Sequence, residues 1–170
     1  MKSPLNSLGE AKSPDKTFLS CEEFETVVRL TPLISIDLIV RSQEDVLVGR
    51  RTNEPAKGFF FVPGGRIFKG ETVRTAFRRI TRTELGVEQA EARARFLGVF
   101  DHHYAENFFA KPGFGTQYVV LAYELKMPKA SVKLTRDQHD ECAWKTEAEI
   151  LQWSEAHENT KAYFRQKPGL

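Results

Sequence analysis

Residues 59–87 read FFFVPGGRIFKGETVRTAFRRITRTELGV: an apolar run, a glycine turn and one amphipathic helix in succession. The phenylalanines and Val62 suit a strand buried on both faces, although an apolar run this short also fits a segment of buried helix. Pro63 breaks the run. Gly64 and Gly65 can take backbone angles closed to other residues, so a ligand can approach the main chain closely at a sharp turn. By itself Pro-Gly-Gly is only a turn signal. Val73, Phe77 and Ile80 then fall at i, i+4 and i+7 with Ala76 beside them, and Gly86 stands where a left-handed C-cap belongs, which predicts a helix. One more turn of that stripe reaches Glu84, a carboxylate in line with core-facing residues near a helix C-terminus, where the macrodipole disfavours negative charge. Either something positive faces it, Arg78, Arg79 or a more strongly binding divalent cation, or its side chain reaches past the stripe into water.

Working outward from the helix, Gly65, Glu71, Arg79, Glu84, Gly86 and Val87 match the Nudix box, whose pattern is G, five residues, E, seven residues, R-E-U-x-E-E-x-G-U with U apolar. Fixed points at matching offsets in a strand, loop and helix context are far more specific than a lone glycine motif, and the chain resembles a Nudix hydrolase. The resemblance implies an α/β fold, an α/β/α sandwich around a mixed β-sheet. The box is also reduced: Ile80, Thr81 and Thr83 replace its Glu, apolar and Glu positions, leaving Glu84 alone of the usual cluster of metal carboxylates. Attack at phosphorus commonly uses several carboxylates to hold more than one metal ion. This reduced box, with TNEPAKGFFFVPGGR before it and DQHD after it, resembles the GDP-mannose mannosyl hydrolase branch of the family. There the resemblance implies that water attacks the anomeric carbon of the sugar.

Composition bounds the remaining possibilities. At 170 residues and 41% hydrophobic content the chain can bury one good core, and a single domain over residues 17–170 is expected. Residues 1–16, MKSPLNSLGEAKSPDK, have little to bury and read as a flexible tail. A net charge of +2, from 25 basic and 23 acidic residues, does not mark a nucleic-acid binder and leaves room for a local cationic pocket. No stretch has the apolar length to span a bilayer and the N-terminus lacks a signal-peptide core, so a cytoplasmic protein with no membrane partner is expected. Cys21 and Cys142 have no metal or redox spacing and read as reduced structural thiols.

Ser20 and Glu23 form a capping box for a helix carrying Phe24, Val27, Val28 and Leu30, which Pro32 terminates. The resemblance assigns nucleotide and dimer contacts to this element, making Phe18, Leu19 and Phe24 substrate-binding candidates and implying a homodimer. The competing reading is ordinary packing of an amphipathic helix. Leu33 to Val40 reads as a strand with Ile34, Ile36, Leu38 and Val40 on one face and Asp37 on the other. An Asp in mid-strand is unfavourable unless exposed or paired. Asp37 therefore sits at an edge facing water or, by resemblance, binds hydroxyls or orients an arginine. Asp45 to Arg51 is a second strand. Arg51, Arg66 and Arg79 flank the glycine loop and helix, and guanidinium donors match diphosphate oxygens, although a single arginine is commonly a solvated surface residue.

Downstream, FLGVFDHHY (96–104) reads as a strand that sends His102 and His103 to opposite faces. The resemblance favours His102 as a phosphate or leaving-group contact, the alternative being a structural or exposed histidine. Residues 104–115 form an aromatic loop fit for a lid or a partner surface. Thr116 to Leu125 is a strand in which Tyr118 is site-facing by resemblance and otherwise a core aromatic. In LTRDQHDECAW (134–144), Gln138 offers an amide oxygen to a hard cation and His139 can accept a proton. Taken alone, DQHD is a solvated polar loop; its pairing with the reduced box gives it weight. Thr146 with Glu149 starts a helix through Trp153, and residues 159–166 a last short one.

The branch resemblance implies one Mg²⁺ per site, with Mn²⁺ able to substitute, held by the Gly64 carbonyl, Glu84 and Gln138. His139 would be the general base, with Arg51, Arg66, Arg79 and Asp37 completing the catalytic set. GDP-mannose, with GDP-glucose second, would be cleaved to GDP and free sugar with inversion. The alternatives are a pyrophosphohydrolase attacking phosphorus of another nucleoside diphosphate derivative, and an inactive Nudix module that binds a nucleotide sugar.

Overall fold

A computed structural model of the chain describes residues 19–132 and 139–165, with His139 and Asp140 described by backbone alone. Phe18, Gln138 and the expected tail over 1–16 lie outside the described residues. Ser20 and Glu23 close the expected capping box and start α1 (Cys21–Leu30). Strands β1 (Leu33–Ser42), β2 (Asp45–Arg51), β3 (Phe60–Phe61) and β4 (Gly64–Arg66) follow, then α2 (Val73–Leu85). Next come β5 (Arg95–Tyr104), β6 (Thr116–Lys126), β7 (His139–Thr146), α3 (Glu147–Gln152) and α4 (Glu158–Arg165). Helix α2 is capped at its start by reciprocal Thr72–Thr75 bonds and closed by Gly86 at φ 70°, the left-handed geometry that favours glycine. Thr146 and Glu149 cap α3 in the same reciprocal way.

The sheet is mixed. Its order is β3-β2-β1-β6-β5, with β4 added to β1 and β7 to β2. β1 runs parallel to β6, whereas the β1–β2, β1–β4, β2–β7 and β5–β6 pairs are antiparallel. β1 and β2 pair only next to their hairpin, at Arg41↔Val46 and Ser42↔Asp45, and then part. The FFFVPGGR stretch fills the opening: Phe60 and Phe61 pair with β2, the Pro63 carbonyl accepts from Leu38 N at 2.8 Å, and Gly64 to Arg66 pair with β1.

Helix α2 covers one face, where Ile36, Leu38 and Val40 pack with Ala76, Phe77, Ile80 and Leu85. On the other face Ile39, Val46, Val48, Phe60 and Val62 pack with Ile150 of α3 and Tyr163 of α4. The layers are therefore helix, sheet, helix, and fully burying each aliphatic or aromatic side chain of this kind stabilises by about 1.5–3 kcal/mol.

Several local expectations change. Phe59 is 41% exposed, with its edge against the His157 ring, so the buried strand shrinks to Phe60 and Phe61. Ile34 falls outside the α2 cluster and is exposed. Asp37 does not face water at an edge, because β1 is flanked by β4 and β6 and the residue is buried. Cys21 and Cys142 are free but exposed, so neither is a packing residue. No described helix is long and apolar enough to cross a membrane.

Candidate active site

Gly64 lies opposite Asp37 and Gly65 opposite Ile36 in the β1–β4 ladder. A Cβ on Gly64 would sit 2.6 Å from Asp37 Oδ1 and 2.7 Å from the Ile36 carbonyl oxygen, so a residue without a side chain is needed for the loop to close on the strand. A Cβ on Gly65 would meet Ile80 Cγ1 of α2 at 3.2 Å. Strand, loop and helix thus converge, and Glu84, one turn beyond Ile80, is carried inward. It is 2% exposed and lines the same cavity, which overturns the reading in which it reaches water.

That cavity has a volume of about 300 Å³. Asp37, Arg51, Gly64, Arg66, Arg79, Glu84, His102, Tyr118 and Phe24 all line it, so most of the residues singled out in the sequence meet in one place. Leu19 does not line it and is 51% exposed. His139 contributes its backbone position: it pairs with Arg51 across β2 and β7, just past a register irregularity that follows Gly49.

The arginines differ in what holds them. Arg79 donates Nε to Glu71 Oε1 at 2.6 Å and Nη2 to Glu71 Oε2 at 2.7 Å and to the Arg66 carbonyl at 2.7 Å. Its guanidinium therefore clamps the 66–71 loop onto α2 and does not face Glu84 as a dedicated counter-ion. Arg66 stacks on Phe24, 4.1 Å from the ring centre, and makes no ion pair with a described residue. Burial, with Arg79 beside it, lowers its pKa. Arg51 Nε is buried with no hydrogen-bond partner. A buried unpaired guanidinium nitrogen calls for an acceptor, and a phosphate oxygen supplies one.

The floor of the cavity is a hydrogen-bonded cluster. The Tyr163 hydroxyl donates to Asp37 Oδ2 at 2.6 Å and lies 3.3 Å from His102 Nε2. Burial pushes the Asp37 pKa up to about 6; the Tyr163 bond and Arg51 pull it down, and Glu84 adds to the rise. Burial likewise lowers the His102 pKa to about 4, so its ring is neutral near pH 7. His103 points the other way and is exposed, as the alternation of a strand requires. Burial raises the pKa of Tyr118 as well.

Of the Nudix-box carboxylates, Glu84 faces this cavity while Glu71 is paired with Arg79; the main chain at Gly64 and the carboxylates of Asp37 and Glu54 line it as well. Among the described residues no group of three His, Cys, Asp or Glu side chains could hold a metal. Mg²⁺ is commonly held by one or two carboxylates, water and substrate phosphates, and a sparse oxygen set beside an unpaired arginine fits that manner of binding. Tyr163, Tyr104, Phe68 and Phe108 also border or support the cavity; the sequence marked Tyr104 and Phe108 only as part of an aromatic loop, and Tyr163 and Phe68 not at all. Tyr163 lies on the last helix, where only a helical pattern was legible.

The NUDIX domain family matches the chain over residues 31–166. Over 84 residues the chain is 48% identical to the low-salt glycan biosynthesis protein Agl8 of Haloferax volcanii, covering 49% of this chain and 52% of that protein. Over 58 residues it is 38% identical to an ADP-ribose pyrophosphatase of Methanocaldococcus jannaschii, covering 34% of each. The chain thus spans about half the length of the first of these relatives and about a third of the second. The crystal structure of a MutT NUDIX hydrolase from Burkholderia pseudomallei matches with a TM-score of 0.66, over 80% of this chain and 98% of that one, at 23% identity. That last match is a likeness of fold. Since the family match takes in the glycine loop, α2 and most of the residues that line the cavity, this chain belongs to the NUDIX family.

Proposed function

We propose that this protein is a Mg²⁺-dependent hydrolase of GDP-mannose, with GDP-glucose as a second substrate, in which water attacks the anomeric carbon. The observation that carries the proposal is the reduced carboxylate set: Glu84 is buried at the cavity while Ile80, Thr81 and Thr83 occupy the other box positions. A box helix that offers the cavity Glu84 without its usual companion carboxylates is poorly equipped for multi-metal attack at phosphorus. It retains what a departing diphosphate needs, two arginines without carboxylate partners among the described residues. The match to a glycan biosynthesis protein supports a sugar-linked substrate.

The Gly64 carbonyl, Glu84 and Gln138 would hold the ion, which when bound neutralises charge on the diphosphate. Arg51 and Arg66 bind the diphosphate oxygens, and Asp37 accepts a hydroxyl of the sugar. His139 takes a proton from water as the water oxygen bonds to C1. The bond from C1 to the diphosphate oxygen breaks, GDP leaves with the electron pair, and the sugar is released with inverted configuration. Phe24 and Phe18 serve the nucleoside end, His102 and Tyr118 the leaving group; a cytoplasmic homodimer belongs to the same reading.

Hydrolysis in ¹⁸O-labelled water tests it, with label expected in the sugar. His139→Gln should lower kcat by about a hundredfold with Mg²⁺ binding retained. The ADP-ribose pyrophosphatase match favours the second reading, cleavage at phosphorus. Label recovered in the phosphate would establish that reading and exclude the first.

A further inference from the structure

Tyr163 comes from the far end of the chain, 126 residues from its partner Asp37, and nothing in the proposed reaction yet uses it. Its ring is buried in the core beneath the sheet, packed edge-on against Phe100 with ring centres 4.7 Å apart. Helix α4 is anchored close by, since Thr160 Oγ1 donates to the Phe60 carbonyl at 3.3 Å and His157 N, just before the helix, donates to the same carbonyl at 3.2 Å. The hydroxyl is thus held by rigid structure. It donates to Asp37 Oδ2 at 2.6 Å, so it is left to accept from His102 at 3.3 Å, which places the imidazole proton on Nε2. One hydroxyl therefore ties together two groups that line the cavity.

We infer that Tyr163 is a positioning residue: it occupies Asp37 Oδ2 and so presents Oδ1, beside the Gly64 turn, to a hydroxyl of the bound sugar. A carboxylate accepts hydrogen bonds and repels phosphate, so Asp37 serves the hydroxyl-bearing half of a nucleotide sugar and not its diphosphate. Without the Tyr163 hydroxyl, nothing described in the structure fills Oδ2, and the carboxylate loses its fixed orientation. This inference rests on the nucleotide-sugar reading above.

The test is steady-state kinetics of the full chain with GDP-mannose and Mg²⁺, alongside inhibition by GDP. Tyr163→Phe keeps the ring and should raise KM for GDP-mannose about tenfold, with kcat within about twofold and GDP inhibition weakened by less than about twofold, since His102 loses only its longer contact to the hydroxyl. In an Asp37→Ala background, which removes both carboxylate oxygens, the same substitution should add less than about a twofold effect, because its only route to the sugar is gone. Phe100→Leu, which loosens the same ring without removing the hydroxyl, should lower stability and leave KM alone. The inference is overturned if the Tyr163 and Asp37 effects multiply, if GDP inhibition weakens as much as KM rises, or if Phe100→Leu raises KM equally. A wild-type protein that neither binds nor cleaves nucleotide sugars sinks the parent reading and this inference together. An active wild type beside an unaltered Tyr163→Phe sinks the inference alone.

Discussion

Asp37 and His102 share one hydroxyl, and burial moves their protonation in opposite directions. The His102 pKa falls from 6.5 to about 4, so between those values the unfolded chain binds the extra proton. Its contribution to stability is full above about pH 6.5 and is lost as the pH falls toward 4. The Asp37 pKa rises from 3.8 to about 6, so the folded protein binds the extra proton there and acidification stabilises it. The two nearly offset each other between pH 6 and 4. Replacing His102 by Gln removes one side of that balance. Relative to wild type, the variant should therefore gain about 2–3 kcal/mol on going from pH 7 to 4.5, read by urea denaturation at the two pH values. An unchanged difference between variant and wild type would mean that His102 is protonated in the fold as readily as in the unfolded chain.

Among the elements, the glycine turn carries the tightest constraint. Gly64 abuts backbone and the Asp37 carboxylate, whereas Gly65 abuts the side chain of Ile80, which can shift by a few tenths of an ångström. Gly64→Ala should cost about 1–3 kcal/mol and disturb Asp37, and Gly65→Ala clearly less, a ranking that thermal denaturation of both variants checks. Equal costs would show that the turn adjusts as a unit. The same turn is braced from its other end by the Arg79–Glu71 pair, so the box arginine and its first glutamate maintain loop shape in this chain.

At the scale of the whole molecule, the opening between β1 and β2 joins the two helical layers to the site. Phe60 fills it and packs against Trp153 with ring centres 4.2 Å apart, and its carbonyl receives Thr160 of α4. Removing that ring should release α4 as well as weaken the core. Phe60→Ala should cost about 3–5 kcal/mol and speed amide exchange in residues 158–165 more than in α2. Uniform acceleration across both helices would show that α4 is not separately dependent on this contact.

What the sequence by itself determined is local. The caps at Ser20, Thr146 and Gly86, the span of β2, the opposed faces of His102 and His103 and the alignment of Glu84 with the apolar stripe of its helix all follow from interactions within a few residues, and these are legible as spacing; that Glu84 is buried there was settled by the tertiary structure. The Nudix box drew the cavity's main residues together for the same reason, because loop and helix are contiguous. Only the tertiary structure decided that Asp37 is buried under Tyr163, that Arg79 is committed to Glu71, and that Phe59 turns outward. Each of these depends on which distant surface arrives opposite the residue, and on how completely it excludes water; no periodicity in a single chain encodes that arrival.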